Sequence, residues 1–370
     1  MPMPSGDLRE TVAVFARLGV VAFGGPVAHI AMMREELVRR RGWVDDQRFV
    51  DLIGATNLIP GPNSTELAMH LGHERAGWRG LVAAGVCFIV PAASLVTLLA
   101  WAYVHYGSTP SFTALLYGVV PVVLGIVVHA LVGLVPTVLA APWRVLLAVL
   151  ALIAFLAGVN ELLILAAGGA AAGLSAVRLR GSAAGLALPV WWLGGDTGEL
   201  SQLFWTMLKI GAVLYGSGYV LLAFLEGDFV ERLGWITQQQ LLDAVAIGQV
   251  TPGPVFTTAT FIGYLVAGLP GAFLATVAIF APSFLFVGLL TKITDRLRSR
   301  AWTARALDGL NAAAFALMLG VTGELARGAL VDPVTVLLAL AAVAALRWTT
   351  LNSAWLVGAG AVVGLLCGLG

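Results

Sequence analysis

Charged side chains are scarce in this sequence, and their scarcity excludes a soluble globular protein. Only 11% of the 370 residues are Asp, Glu, Lys or Arg, whereas 59% are hydrophobic, and the mean hydropathy is +0.93. Soluble domains usually carry about 25% charged residues. The composition therefore predicts a polytopic membrane protein whose surroundings are the lipid bilayer.

Cysteine and blocks of like charge are also nearly absent. Cys87 and Cys367 stand alone in apolar runs without a second Cys or His at metal-ligand spacing, so neither a disulfide nor a metal site is predicted, and no cofactor is expected. The net charge of +1 carries no basic block, which argues against nucleic acid as a partner. Charges surround the first apolar run and no small-residue cleavage site follows it, so we expect this run in the mature protein.

An internal repeat is visible when the chain is shifted by 192 positions. Residues 15–65 then align with residues 207–257 without a gap, with 14 identities in 51 positions where about 5 are expected by chance. The matches include Gly42-Trp43 with Gly234-Trp235, Pro60-Gly61-Pro62 with Pro252-Gly253-Pro254, and, after a shift of one residue, Gly80 with Gly271 and Pro91 with Pro282. The chain is therefore predicted to consist of two homologous halves.

The halves are predicted at residues 1–177 and 201–370, with a cytoplasmic linker at 178–200. Each half is predicted to contain one broken stretch that enters and leaves on one face, together with five crossing helices. The predicted segments are 9–33, 47–75 (broken), 79–104, 112–135, 143–158 and 160–177, then 201–225, 239–266 (broken), 271–291, 304–326, 333–346 and 351–369. The fold class is all-α and polytopic, with about ten transmembrane helices plus two re-entrant or broken helical hairpins.

The distribution of basic residues predicts that the second half is inverted relative to the first. An odd number of crossings per half requires this inversion, and under the resulting topology sixteen Lys and Arg residues lie on one side against three on the other. The homologous loops 34–48 (REELVRRRGWVDDQR) and 226–240 (EGDFVERLGWITQQQ) are basic and acidic respectively. The basic loops are predicted to be cytoplasmic, in a multi-pass protein of the bacterial inner (plasma) membrane.

The two Pro-Gly-Pro motifs interrupt their helices in the way that secondary transporters use to build a midplane site. A helix restarted after each motif presents free N–H groups and the positive end of its dipole, which suits an anion. The alternative is that each motif is a tight turn without a ligand. The predicted substrate-binding residues at the two motifs are Gly61, Asn63, Ser64, Thr65, Gly253, Thr257 and Thr258.

One cation and one glycine-rich break in the first helix of each half extend this predicted site. Arg17 aligns with Lys209, and both are predicted to neutralise a doubly charged substrate, the alternative being that they snorkel to the interface. Gly24-Gly25-Pro26 aligns with Gly216-Ser217-Gly218, and these breaks would form the opposite wall of the site. For the glycines the alternative is close helix packing.

Proton coupling requires a group that changes its charge inside the membrane. For the carboxylates the alternative roles are dipole complementation at a helix start or a scaffold pairing, and for the histidines a structural hydrogen bond. The candidates for proton coupling are Glu66, His29, His70, Asp51 and Asp243.

The motifs FGGPVAHI, RGWVD, IPGP, LKIGAVLYGSGYVLL, GWIT and VTPGP resemble the chromate ion transporter family over nearly the whole chain. This resemblance implies a carrier that exports chromate across the bacterial inner membrane as a proton-driven antiporter and so confers chromate resistance. It implies no enzyme activity. The residues alone predict only a site for a small divalent oxyanion, and sulfate shares the charge and the tetrahedral shape of chromate.

Two other functions stay open on the sequence alone. The same fold would serve a transporter or exchanger of sulfate or another oxyanion. An intramembrane enzyme acting on lipid phosphates would need a cluster of metal-binding carboxylates, and Asp45-Asp46 has no third acid nearby. A homodimer is compatible with either transporter, but the sequence does not determine the oligomeric state, the coupling ion or the direction of transport.

Overall fold

The computed structural model describes residues 8–22, 25–56, 59–176, 198–214, 220–290, 301–349, 351 and 353–368. Within these residues the secondary structure is helical throughout, so the predicted all-α class is confirmed. The linker predicted at 178–200 falls almost entirely outside the described residues, and its location stays a prediction.

The first half contains seven helices in the described residues, and the second half repeats them in the same order. In the first half they are α1 Leu8–Val21, α2 Gly25–Met33 with a π-helical continuation Arg34–Arg40, α3 Asp46–Thr56, α4 Asn63–Tyr106, α5 Pro110–Val138, α6 Pro142–Leu156 and α7 Glu161–Ala176. In the second half they are α8 Glu199–Val213, α9 Leu221–Leu225 with a π-helical continuation Glu226–Arg232, α10 Gln238–Val250, α11 Thr258–Leu290 after a 3-10 turn Val255–Thr257, α12 Ala301–Ala329, α13 Pro333–Trp348 and α14 Ser353–Gly368.

Helix α4 folds back on itself at Ala76 and Gly77, whose backbone angles are not helical. Gly72 and Gly80 pack so closely across this turn that a Cβ on either residue would overlap the carbonyl oxygen of the other. We call the two arms α4a (63–75) and α4b (78–106). Helix α11 has the same turn at 267–268, with arms α11a (258–266) and α11b (269–290). Because α3 and α4a are each at most about 20 Å long, they form a re-entrant hairpin rather than two crossings.

The predicted first segment, 9–33, is corrected to two helices that fold back on each other. Helix α1 ends at Val21, and α2 starts at Gly25, which has φ +78°. Arg41, beyond the π-helical continuation of α2, pairs with Glu10 near the start of α1 at 2.8 Å. A glycine followed by Pro26 breaks the helix here, because proline lacks an N–H and glycine tolerates the left-handed backbone.

The two halves are inverted relative to each other, as predicted. The equivalent helices α4b and α11b pack antiparallel: Trp78, at the start of α4b, lies against Gly288, near the end of α11b, and Phe284 lies against Gly85. Two copies of one unit whose equivalent helices run antiparallel are related by an axis perpendicular to those helices. The packing thus confirms an inverted repeat although the first segment of each half is a hairpin.

The halves also exchange their long helices. Helix α5 packs against α13 and α14 of the second half, and α12 packs against α6 and α7 of the first. In the described residues, four helices are long and apolar enough to cross a membrane, and four shorter apolar helices accompany them. Large apolar side chains such as Leu146, Leu150 and Leu337 are more than half exposed on their outer faces. The chain is a multi-pass membrane protein.

Two ends of the helix bundle are used below as reference points. At the basic end, Arg41 and Arg75 both pair with Glu10, and Arg48 pairs with Glu74. At the opposite end, the hydroxyl of Tyr103, near the end of α4b, donates to Asp243 on α10 at 2.8 Å. The hairpin of each half therefore starts from a different end, and the two tips meet between them.

Candidate functional site

The first Pro-Gly-Pro turn is the tip of the hairpin formed by α3 and α4a, and it is buried. Gly61 has φ +142° and donates its backbone N–H to the carbonyl of Leu214, at the end of α8, at 2.8 Å. A side chain at Gly61 would overlap the carboxyl group of Glu66 and the hydroxyl of Ser283. Helix α4a begins at Asn63 without a side-chain cap from Pro62. The tip thus brings a helix N-terminus into the interior, against the other half.

Polar side chains gather beside this tip and are completely enclosed. Thr65, Glu66 and Ser283 are 0% exposed, and His70, one turn further along α4a, is 3% exposed. Thr65 Oγ1 and His70 Nε2 have no hydrogen-bond partner among the described residues, whereas the Glu66 carboxyl group and the Ser283 hydroxyl lie beside each other without a third partner. Buried polar groups are normally paired, and an ionised buried carboxylate without a partner costs several kcal/mol. Such an enclosed cluster can bind a ligand or water, and Glu66 is expected to keep its proton here.

His29 connects the break after α1 to the start of α4a. Its Nε2 lies 2.9 Å from the carbonyl oxygen of Ala22, and its Nδ1 lies 3.2 Å from Ser64 Oγ. A carbonyl only accepts, so Nε2 carries the proton and Nδ1 accepts from the Ser64 hydroxyl. The same Ala22 carbonyl accepts the backbone N–H of Gly253 at 2.8 Å. One buried histidine thus joins both hairpin tips, which is the structural alternative given for it above.

The second Pro-Gly-Pro turn repeats the backbone of the first, but its two threonine hydroxyls are bonded to their own backbone. Gly253 has φ +94°, and a side chain there would overlap Ala92, the equivalent of Ser283. Thr257 Oγ1 donates to the carbonyl of Pro254, and Thr258 Oγ1 to the carbonyl of Val255, both at 2.8 Å. Because these hydroxyls are already satisfied by their own backbone, the second tip offers fewer donors than predicted.

The two predicted cations lie beside carboxylates of their own halves. Lys209 Nζ contacts Asp228 at 2.5 Å, and Asp228 also accepts from Arg232 at 2.9 Å. Arg17, the equivalent of Lys209, is exposed on α1 and acts electrostatically on Glu36, the equivalent of Asp228. The charge of Lys209 is thus compensated locally, and the prediction that these cations neutralise a substrate stays a prediction.

The equivalent residues Asp51 and Asp243 differ in environment. Both accept from a glutamine one turn earlier, Gln47 at 3.4 Å and Gln239 at 3.0 Å. Asp243 is 2% exposed and is also held by Tyr103, whereas Asp51 is half-buried. The shared glutamine bond suggests a common scaffold role for these carboxylates.

Three predicted site residues, Gly24, Gly216 and Ser217, lie outside the described residues. Gly25 is described and is the first residue of α2. Sequence reasoning missed Ser283, although a signal existed: it directly follows Pro282, which aligns with Pro91, and it replaces the apolar Ala92. In the described part of the chain, no group of three His, Cys, Asp or Glu side chains is placed to hold a metal ion.

Comparisons with known proteins identify the family. The family model described as Chromate transporter matches residues 9–174 and again residues 201–365. The chain is 34% identical to a chromate transport protein of Cupriavidus metallidurans, over 98% of this chain and 94% of that protein. It is 31% identical to a probable chromate transport protein of Synechococcus elongatus, over 92% and 90% of the two chains, and 32% identical to a chromate transport protein of Pseudomonas aeruginosa, over 88% and 82%.

No solved structure matches this chain. The relatives are transport proteins rather than enzymes, which removes the lipid-phosphate enzyme as an alternative. The double match covers both halves of the inverted repeat, and the chain belongs to the chromate transporter family.

Proposed function

We propose that this protein is a secondary transporter that exports chromate across the bacterial inner membrane in exchange for protons, and that it thereby confers chromate resistance. The main support for the binding site is the enclosed polar cluster at the first hairpin tip, which is formed by Thr65, Glu66 and Ser283 and has no partner outside the cluster among the described residues. The relatives named for chromate transport support the substrate.

Chromate suits this cluster because it is a small tetrahedral dianion with four acceptor oxygens. The hydroxyls of Thr65 and Ser283 would donate to it, and the N-terminus of α4a would add the positive end of its dipole. Glu66, in its protonated form, would donate as well instead of repelling the anion. The site would then lie near the midplane, and Gly61 leaves room beside the backbone for the Glu66 carboxyl group and the Ser283 hydroxyl.

The remaining predicted residues take supporting roles in this proposal. Arg17 and Lys209 would raise the local concentration of the dianion through their field rather than by contact. Asn63, Gly253, Thr257 and Thr258 would form the walls that change their packing when the carrier opens to the other side. The basic end would face the cytoplasm, by the positive-inside rule.

Sulfate has the same charge and shape as chromate, so selectivity must be measured. Purified protein in liposomes, with the membrane potential clamped and the lumen made more acidic than the outside, should accumulate labelled chromate in the lumen. Excess external sulfate reports selectivity. Accumulation in an alkaline lumen would show symport, movement of sulfate alone would replace the substrate, and movement of neither anion would refute the proposal. Protein-free liposomes provide the control.

A further inference from the structure

A second polar site lies at the opposite end of the bundle, away from the hairpin tips. A pocket of about 470 Å³ there is lined by acidic residues of the π-helix after α9 and of α12. Its lining comprises Glu226, Val230, Glu231, Gln238, Glu324, Arg327 and Gly328. None of these residues belongs to the Pro-Gly-Pro motifs or to the motifs that carry the family resemblance.

Glu226 is the buried member of this pocket, with 5% of its surface exposed. Its Oε1 accepts from Gln238 Nε2 at 3.0 Å, whereas its Oε2 has no hydrogen-bond donor among the described residues. Glu324 on α12 lines the same pocket beside Glu226, and its negative charge disfavours ionisation of the buried Glu226 carboxyl group. A buried carboxyl group with a second acid beside it favours its protonated form, so this pair is suited to hold one proton.

The other charged groups around Glu226 do not neutralise its carboxylate in place of a proton. The acids Glu161 on α7 and Glu231 on the same π-helix both add negative potential. Asp228 already binds Lys209 and Arg232. Arg327 on α12 lines the exposed rim of the pocket. Burial and the neighbouring Glu324 raise the pKa of Glu226 well above its ordinary value, toward physiological pH.

The inverted repeat shows that this pair is not required by the scaffold. Glu226 and Gln238 occupy the positions that Arg34 and Asp46 hold in the first half. There the same contact is an exposed ion pair at 2.6 Å, and the position equivalent to Glu324 is Gly133. The same backbone therefore carries a permanent ion pair at the basic end and a protonatable carboxyl pair at the opposite end.

We infer that Glu226 and Glu324 bind the proton that this transporter exchanges for its anion. The inference rests on the proposed function and adds the site of its coupling ion. A carboxyl group beside the anion holds its proton more tightly when the anion is bound. The proton and the anion would then cross the membrane together, which is symport and not exchange. A proton site remote from the anion escapes this constraint, so its occupation can favour return of the empty carrier.

The test uses Glu226→Gln and Glu324→Gln in the full-length protein, with Glu231→Gln as the matched control from the rim of the same pocket. One coupled proton and a pH difference of one unit correspond to about tenfold accumulation of chromate. With the membrane potential clamped, the wild type and Glu231→Gln should accumulate chromate in an acidic lumen. Both pair variants should reach only equal concentrations, while chromate-for-chromate exchange without a gradient stays within about twofold of wild type.

The outcomes separate this inference from the proposed function. Wild-type accumulation by either pair variant would overturn the inference, and so would loss of exchange in a variant that elutes and melts like the wild type. Absence of chromate exchange in the wild type would instead refute the proposed function. An infrared band of a protonated carboxyl group that persists above the ordinary carboxyl range and is missing in Glu226→Gln tests the bound proton without transport, and its presence in that variant would refute the site.

Discussion

The two hairpin tips share a backbone but differ in chemistry. Gly61 and Gly253 both have positive φ angles and both donate their N–H to the end of the first helix of the other half. At the first tip, Glu66 and Ser283 are enclosed beside each other without a third partner, whereas their equivalents at the second tip are Thr258, bonded to its own backbone, and Ala92. The repeat thus keeps the scaffold in both halves and places an enclosed carboxyl group and a serine hydroxyl at the first tip, where the second has a bonded threonine and an alanine.

The outer parts of the halves show the same division. The contact between the π-helix and the start of the next helix is preserved, as Arg34 with Asp46 in one half and as Glu226 with Gln238 in the other. Inversion places these versions at opposite ends of the bundle. A symmetric scaffold allows the two conformations of a carrier to be similar in energy, while the side chains that it carries still differ between the halves.

Among the substitutions that compare the two tips, replacement of Glu66 should have the largest effect on chromate transport. Glu66→Ala removes a donor to the proposed anion and should weaken chromate transport about 100-fold, whereas Glu66→Gln, which still donates, should stay within about tenfold of wild type. Thr258→Ala, at the equivalent position, should change it by about twofold at most. The measurement is the concentration dependence of chromate exchange in liposomes. Equal losses in Glu66→Ala and Thr258→Ala would show that both tips bind the substrate.

Removal of His29 should have the next largest effect, because it links the two tips. His29→Ala leaves the Ser64 hydroxyl without its acceptor and should lower the free energy of unfolding by about 1–3 kcal/mol and transport by about tenfold. His105→Ala, which removes an exposed histidine bound to Trp101, is the matched control and should behave like wild type. Thermal unfolding in detergent and chromate exchange are the measurements. A stable, fully active His29→Ala protein would contradict the proposed linkage.

Lys209 on α8 pairs with Asp228, whereas its equivalent Arg17 on α1 is exposed, and replacement of Lys209 tests this difference. Lys209→Ala deprives Asp228, whose side chain is 9% exposed, of one of its two cations and should cost about 1–3 kcal/mol in stability. Lys209→Arg should restore most of it. Thermal unfolding provides the measurement. An unchanged melting temperature in Lys209→Ala would show that Arg232 suffices for Asp228.

Arg17 should give the smallest effect of the four. Because Arg17 is exposed, Arg17→Ala should change stability by about 0.5 kcal/mol or less. Its field should contribute at most about threefold to the chromate association rate, and that contribution should decrease with added salt. Transport measured at two salt concentrations checks this expectation. A tenfold loss that persists at high salt would place Arg17 in direct contact with the substrate.

Several parts of the site were predictable because they rest on local patterns. The Pro-Gly-Pro motifs predicted the two tips, and the acidic replacement of a basic loop predicted the inversion. The glycines predicted the break between α1 and α2 but not the reversal of the chain, because a glycine-proline break does not specify the angle between the helices. Ser283 and the pair formed by Glu226 and Glu324 were missed because their partners are distant in sequence.

The sequence by itself determined that this is a membrane protein of two inverted, homologous halves with interrupted helices. Composition, internal repetition and loop charge can be recognised directly along the chain, because each depends on the residues of one segment and not on contacts between segments. Only the tertiary structure decided which tip is polar and which carboxyl groups adjoin. Those properties depend on burial and on contacts between helices from opposite halves, such as that of Gly61 with Ser283, and a linear pattern does not encode the distance between them.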